Sequence, residues 1–134
     1  MEKKKLPIGT QTFLTFAENG LYYVDKTPFI RSVMEADDEV LLFTRPRRFG
    51  KTLFMSTVKS FLEVNPENPG DRRCAEKQFS GLKISEDKAF CERFMAQCPT
   101  VFLSLKEVHG ETFDDAYQKL VHLVPFMVLY KVVH

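Results

Sequence analysis

The chain has 134 residues, of which 19 are Lys or Arg and 18 are Asp or Glu, so its formal net charge is +1. That length suits one compact domain, and the balanced charge excludes a globally basic nucleic-acid binder and an acidic disordered tail. Because there are 13 Phe and no Trp, Phe and the aliphatic residues must build the core.

The first third of the chain predicts a strand, a helix and a second strand. Residues 21–24 are aromatic and β-branched and follow an Asn-Gly turn signal, which favours a short strand. Asp25 or Thr27 then offers an N-cap, and a proline at the first helical position predicts a helix over residues 28–34. Residues 39–44 contain consecutive apolar side chains, as in a strand buried on both faces.

The rest of the chain alternates helical periodicity with a strand-type segment. One-sided apolar stripes predict helices over residues 51–62 and 86–97. Residues 100–105 follow a proline and predict a further strand. Thr112 can cap a last helix, whose first turn carries two aspartates. This order of elements is typical of an α/β fold in which a parallel sheet is flanked by helices.

The most apolar stretch of the sequence is residues 120–133. It is interrupted by His122, Pro125 and Lys131, so it falls short of the ~20 apolar residues that a membrane-spanning helix needs. The stretch instead predicts a helix end followed by a buried strand, and no membrane association. Its apolar end is a candidate surface for a partner or for self-association.

The cysteines and the first residues bear on the compartment. The three cysteines have no Cys-x-x-Cys spacing, which argues against a disulfide framework or a zinc site. They favour a reducing, cytoplasmic compartment. The charged first residues are not followed by an apolar core, so no secretory signal is expected.

The candidate ligand-binding residues lie in the segment between the second predicted strand and the next helix. Residues 44–52 read Thr-Arg-Pro-Arg-Arg-Phe-Gly-Lys-Thr, and Gly-Lys-Thr is the second half of a phosphate-binding loop. Gly50 lets backbone N–H groups approach phosphate oxygens. Lys51 can reach the β- and γ-phosphates, and Thr52 can hold Mg²⁺ through its hydroxyl. Arg45 stands where the consensus has its first glycine.

A simpler interpretation of the same segment stays open. Lys51 and Thr52 could merely begin a helix after an exposed basic turn. The arginines at positions 45, 47 and 48 add positive charge, which could contact phosphate or pair with neighbouring carboxylates.

Two blocks of the sequence, residues 22–29 (Tyr-Tyr-Val-Asp-Lys-Thr-Pro-Phe) and residues 45–52, resemble the AAA-ATPase-like family of prokaryotic proteins. Members often carry a C-terminal nuclease-like domain of the PD-(D/E)XK type. The resemblance extends to about Leu120, and arginine at position 45 is the family's own variant of the Walker A motif. It implies a P-loop domain that binds ATP and Mg²⁺ through these residues: Arg47, Arg48, Phe49, Gly50, Lys51 and Thr52. It assigns no role to Asp25, for which we expect helix capping, or to Lys26.

A P-loop ATPase also needs an acidic residue at the end of a second apolar strand, to hold Mg²⁺ and orient the attacking water. The strand predicted at 100–105 is followed by Lys106, and Glu107 lies out of register. No catalytic residue is therefore assigned, and we expect ATP binding with poor hydrolysis. Residues 1–134 are expected to be the N-terminal part of the family's domain, ending before that acidic strand.

Two further hypotheses belong to other functional classes. One is a non-enzymatic nucleic-acid or phosphate binder that uses the arginines at 45, 47 and 48 together with Lys51. The other is a truncated remnant without activity, whose apolar end would favour aggregation or a partner.

Overall fold

The computed structural model describes residues 5–7, 9–10, 12–106 and 108–132, with side chains described as far as Leu123. Within these residues the α-helices are α1 Phe13–Asn19, α2 Pro28–Met34, α3 Lys51–Leu62, α4 Arg73–Phe79, α5 Lys88–Phe94 and α6 Phe113–Val132. A 3₁₀ helix, Lys83–Glu86, lies between α4 and α5. The chain divides into two compact units, Met1–Thr100 and Val101–His134.

The predicted parallel sheet is wrong. Residues 21–24, 39–44 and 100–105 form no strand, and the one β-type contact among the described residues is an isolated parallel bridge between Glu63 and Cys98. Apolar and β-branched composition favours an extended backbone, but a strand forms only where a neighbouring strand accepts and donates its ladder hydrogen bonds. The three segments lack such a neighbour among the described residues, so the fold that the structure shows is helical.

The apolar segment at residues 40–43 is not buried on both faces as its composition predicts. Val40 and Leu42 are 84% and 86% exposed. Phe43 is half-buried, because its ring packs against Phe29 of α2 and Phe54 of α3 at centroid distances of 5.8 and 5.9 Å. Only one side chain of this segment is therefore anchored by aromatic contacts to the helices.

The helices predicted from local signals are confirmed. Helices α2 and α3 have the predicted bounds. Helix α5 is shorter than the predicted 86–97. It begins at Lys88 because the Asp87 side chain caps it by accepting a hydrogen bond from the Phe90 N–H at 3.1 Å, and it ends at Phe94, before Met95 turns to an extended backbone. Helices α1 and α4, of seven residues each, were not predicted.

Phenylalanine rings from four helices build the core of the first unit. The Phe79 ring of α4 lies 4.6 Å from Phe13 of α1 and 5.3 Å from Phe61 of α3. Phe61 in turn stacks on Phe90 of α5 at 5.8 Å. Ile30 of α2 is completely buried in the same cluster. The expectation that Phe and aliphatic side chains build the core is confirmed.

The second unit contains α6, and its predicted cap is confirmed. The Thr112 hydroxyl accepts a hydrogen bond from the Asp115 N–H at 3.2 Å, and the Asp115 carboxylate accepts one from the Thr112 N–H at 3.3 Å. This reciprocal pair satisfies N–H groups at the start of a helix. The strand expected after the helix is wrong as far as Val132, because short apolar segments are compatible with either structure. None of the described helices combines the length and apolarity that crossing a membrane requires.

Candidate functional site

Helix α3 begins directly after residues 44–50, which we call the basic loop. Gly50, at the N-cap of α3, has a left-handed backbone with φ 75° and ψ 21°, and Arg48 also has a positive φ of 66°. A left-handed conformation is readily adopted by glycine. The Gly50 carbonyl accepts the Phe54 N–H at 2.8 Å, which is the first hydrogen bond of the helix.

The first turn of α3 presents backbone N–H groups that lack a backbone acceptor in the described part of the chain. The N–H groups of Lys51, Thr52 and Leu53 donate no backbone hydrogen bond to any residue that the structure describes. Such groups, together with the positive end of the helix dipole, attract anions. A Cβ built on Gly50 would meet no atom within 4 Å, so the space beside this turn is open.

The side chain of Lys51 closes the basic loop. Its Nζ donates to the carbonyl oxygens of Arg45 and Pro46, the second at 3.4 Å. Within the described part of the chain, none of the loop's three arginines forms an ion pair with a carboxylate, and neither does Lys51. The interpretation that these arginines pair with neighbouring carboxylates is therefore not supported, and the loop keeps its positive charge.

A cavity of 710 Å³, which we call the main cavity, lies against the basic loop and α3. Its basic lining residues are Lys26, Arg45 and Lys51. It is also lined by Gly50, by the rings of Phe29, Phe43 and Phe54, whose centroids lie 5.5 to 5.9 Å apart, and by Asp25. The main cavity thus combines cations with an aromatic wall, which suits a ligand that has both an anionic and a flat apolar part.

A second cavity of 490 Å³, the flanking cavity, also borders Gly50. Its lining includes Tyr22, Lys26, Arg48 and Phe49. Gly50 and Lys26 therefore belong to the walls of both cavities, although they lie in different segments of the chain.

The turn that precedes α2 is fixed by one carboxylate. The Asp25 side chain accepts hydrogen bonds from the Thr27 N–H at 2.9 Å, from the Thr27 hydroxyl at 2.6 Å and from the Lys83 N–H at 2.8 Å. Partial burial by itself raises the pKa of Asp25, but the hydrogen bonds from Lys83 and Thr27 outweigh it and hold that pKa below its ordinary value. Thr27 occupies the N-cap of α2 without a side-chain cap bond. Asp25 therefore holds the turn and is not itself the N-cap.

The structure brings together part of the predicted binding set. The predicted residues that line at least one of the two cavities are Arg48, Phe49, Gly50 and Lys51. Arg47 and Thr52 line neither. Thr52 is half-buried in the first turn of α3, and the described residues contain no cluster of three or more His, Cys, Asp or Glu able to hold a metal.

Sequence reasoning missed Lys26 and the aromatic wall. Phe43 was expected in a buried strand and Phe54 in the apolar stripe of a helix, so neither was connected with the loop. Lys26 and Phe29 belong to the upstream block at residues 22–29, and that block was the signal that could have pointed to them.

A family model with the description Predicted AAA-ATPase matches residues 7–127. The chain belongs to the AAA-ATPase-like family. Both cavities and the Asp25 turn are built mainly from residues inside this match. An uncharacterized protein in the vnfD 5′ region of Azotobacter chroococcum mcd 1 is 40% identical over 87 residues, which are 64% of this chain and 15% of that protein. The chain therefore spans a small part of the length of that relative. No solved structure is significantly similar to the chain described here.

Proposed function

We propose that this AAA-ATPase-like domain binds ATP, with the phosphates at the basic loop and the first turn of α3. The observation that carries the proposal is the main cavity, which opens on the left-handed Gly50 and on Lys51. Its volume of 710 Å³ lies in the usual range of small-molecule sites, about 300–1,000 Å³.

Each part of the site supplies a different interaction. The N–H groups at residues 51–53, which have no backbone acceptor among the described residues, and the helix dipole attract phosphate oxygens. The Lys51 ammonium group, which donates to the Arg45 carbonyl of the basic loop, adds a positive point charge. The aromatic wall offers rings against which a base can stack. Thr52 follows Lys51 as in phosphate-binding loops that hold Mg²⁺, but it is half-buried and lines neither cavity, so no Mg²⁺ ligand is assigned.

The proposal is restricted to binding. Hydrolysis needs a group that orients or deprotonates the attacking water. Asp25 is the carboxylate in the lining of the main cavity, and its oxygens already accept three hydrogen bonds. We therefore assign no catalytic residue.

Isothermal titration with ATP and Mg²⁺ tests the proposal, at protein concentrations of tens of micromolar. We expect saturable binding that Lys51→Ala removes. Lys88→Ala is the control, because Lys88 is exposed on α5 and lines neither cavity. Absence of heat with the parent protein, or equal affinity for Lys51→Ala, would contradict ATP binding at this site.

Nucleic-acid binding is a second candidate, favoured by the exposed arginines of the basic loop that have no carboxylate partner in the described chain. Four phosphate contacts predict that log K on duplex DNA falls by about 3.6 per log unit of salt. Binding that does not respond to salt would exclude this candidate. If the protein binds neither ATP nor DNA, the hypothesis that it is a truncated remnant without activity is favoured.

A further inference from the structure

Lys26 lies beside the proposed phosphate site although it precedes the basic loop in the sequence. It lines the main cavity together with Arg45 and Lys51, and the flanking cavity together with Arg48. Gly50 lines both cavities as well. Lys26 therefore shares both cavities with Gly50, beside which an added Cβ would meet no atom within 4 Å.

The charge of Lys26 is available. Its side chain is exposed and forms no hydrogen bond or ion pair with any residue that the structure describes. The neighbouring carboxylate, Asp25, is engaged instead with Thr27 and the Lys83 N–H. Nothing in the described turn therefore uses the ammonium group for folding.

The backbone of Lys26, in contrast, is fixed on both sides. Before it, Asp25 is hydrogen-bonded to the 3₁₀ helix at Lys83. After it, Thr27 is completely buried, and its hydroxyl accepts a hydrogen bond from the Ile84 N–H at 3.3 Å. The Lys26 carbonyl also accepts the Phe29 N–H at 3.1 Å. A fixed turn that carries, beside a cavity, a cation without a partner among the described residues is pre-organised for an anionic ligand.

We infer that Lys26 is a second phosphate-contacting cation of the nucleotide site and that the Asp25 turn positions it there. The inference rests on the proposed function, because it assigns Lys26 to the same ligand as Lys51. Two lysines from separate segments would favour nucleotides with several phosphates over a nucleoside monophosphate, since each added phosphate brings more negative charge between them.

The test compares the affinities of Lys26 variants for ATP and for AMP. Lys26→Gln is expected to weaken ATP binding by about 10-fold, the equivalent of one charge-assisted contact, and to weaken AMP binding less. Lys26→Arg, which keeps the charge, is expected to retain most of the ATP affinity. Lys88→Gln is the matched control and should bind ATP as the parent does.

The outcomes separate the two proposals. If Lys51→Ala leaves ATP affinity unchanged, the nucleotide site itself is wrong. If Lys51→Ala abolishes binding while Lys26→Gln binds ATP as the parent does, only the role of Lys26 is overturned. Equal losses for ATP and AMP, or a loss in Lys26→Arg as large as that in Lys26→Gln, would also overturn it. Thermal unfolding of each variant shows whether it is folded. If Lys26→Gln does not fold, the ATP affinity of Lys26→Arg decides, and a large loss of affinity in this charge-retaining variant would overturn the role of Lys26.

Discussion

The carboxylate of Asp25 accepts a hydrogen bond from the backbone N–H of Lys83 at 2.8 Å and thereby joins two segments that are 58 residues apart in the sequence. The same carboxylate holds the N–H and the hydroxyl of the buried Thr27. One side chain therefore fixes the start of α2, the 3₁₀ helix and the turn that carries Lys26.

Replacement of this carboxylate should destabilise the first unit. Asp25→Ala leaves the Thr27 hydroxyl and the Lys83 N–H without their acceptor, at a cost of about 1–3 kcal/mol. Urea unfolding followed by circular dichroism measures the loss. Asp37→Ala is the control, since Asp37 is exposed and forms no hydrogen bond or ion pair with the residues described, and it should change stability by less than about 0.5 kcal/mol. Equal stability of the two variants would refute the role of Asp25.

The stabilisation by Asp25 should depend on pH. The pKa of Asp25 in the folded protein lies below its ordinary value, so folding favours the ionised form. This contribution is fully present above the unfolded-state pKa of about 3.9 and is lost as the pH falls through the lower pKa of the folded state. The stability difference between the parent and Asp25→Asn should therefore shrink when urea unfolding is repeated below about pH 4. A difference that grows on acidification would contradict this assignment.

Helices α1 and α3 are joined by a buried hydrogen bond that can be tested separately. The Ser56 hydroxyl accepts the Phe13 N–H at 2.9 Å. Ser56→Ala leaves this buried donor without a partner and should cost about 1–3 kcal/mol of unfolding free energy. Ser60→Ala, on the same helix and half-buried, is the matched control with a smaller expected effect. Comparable losses in both variants would show that the hydroxyl of Ser56 has no special role.

The sequence predicted those parts of the structure that depend on local signals. The proline at the start of α2, the apolar stripe of α3 and the Thr112 cap each act within a few residues, and each was recognised. The sheet was not predictable in the same way, because the segment at 39–44 shows only that its residues are apolar and says nothing of a pairing partner. Likewise, the turn that carries Lys26 is held by hydrogen bonds from the distant Lys83 and Ile84 N–H groups to Asp25 and Thr27, and such long-range contacts are not visible in the local sequence pattern.

Gly50 offers a test that separates ligand binding from folding. Its φ of 75° is unfavourable for a residue with a Cβ, so Gly50→Ala should cost about 1–2 kcal/mol of stability. The added Cβ meets no protein atom within 4 Å, and the fold should therefore persist. If phosphate oxygens approach the backbone here, the same Cβ enters their space, and ATP affinity should fall.

Gly20→Ala is the matched control for this effect. Gly20 is also left-handed, with φ 57° at the C-cap of α1, and its added Cβ likewise meets nothing within 4 Å. The two variants should lose similar stability in urea unfolding, because the backbone strain is of the same kind. Only Gly50→Ala should lose ATP affinity in titration, since Gly20 lines neither cavity. Equal ATP affinities at equal stability would show that phosphate does not approach the backbone at Gly50, and would move the binding site away from the start of α3.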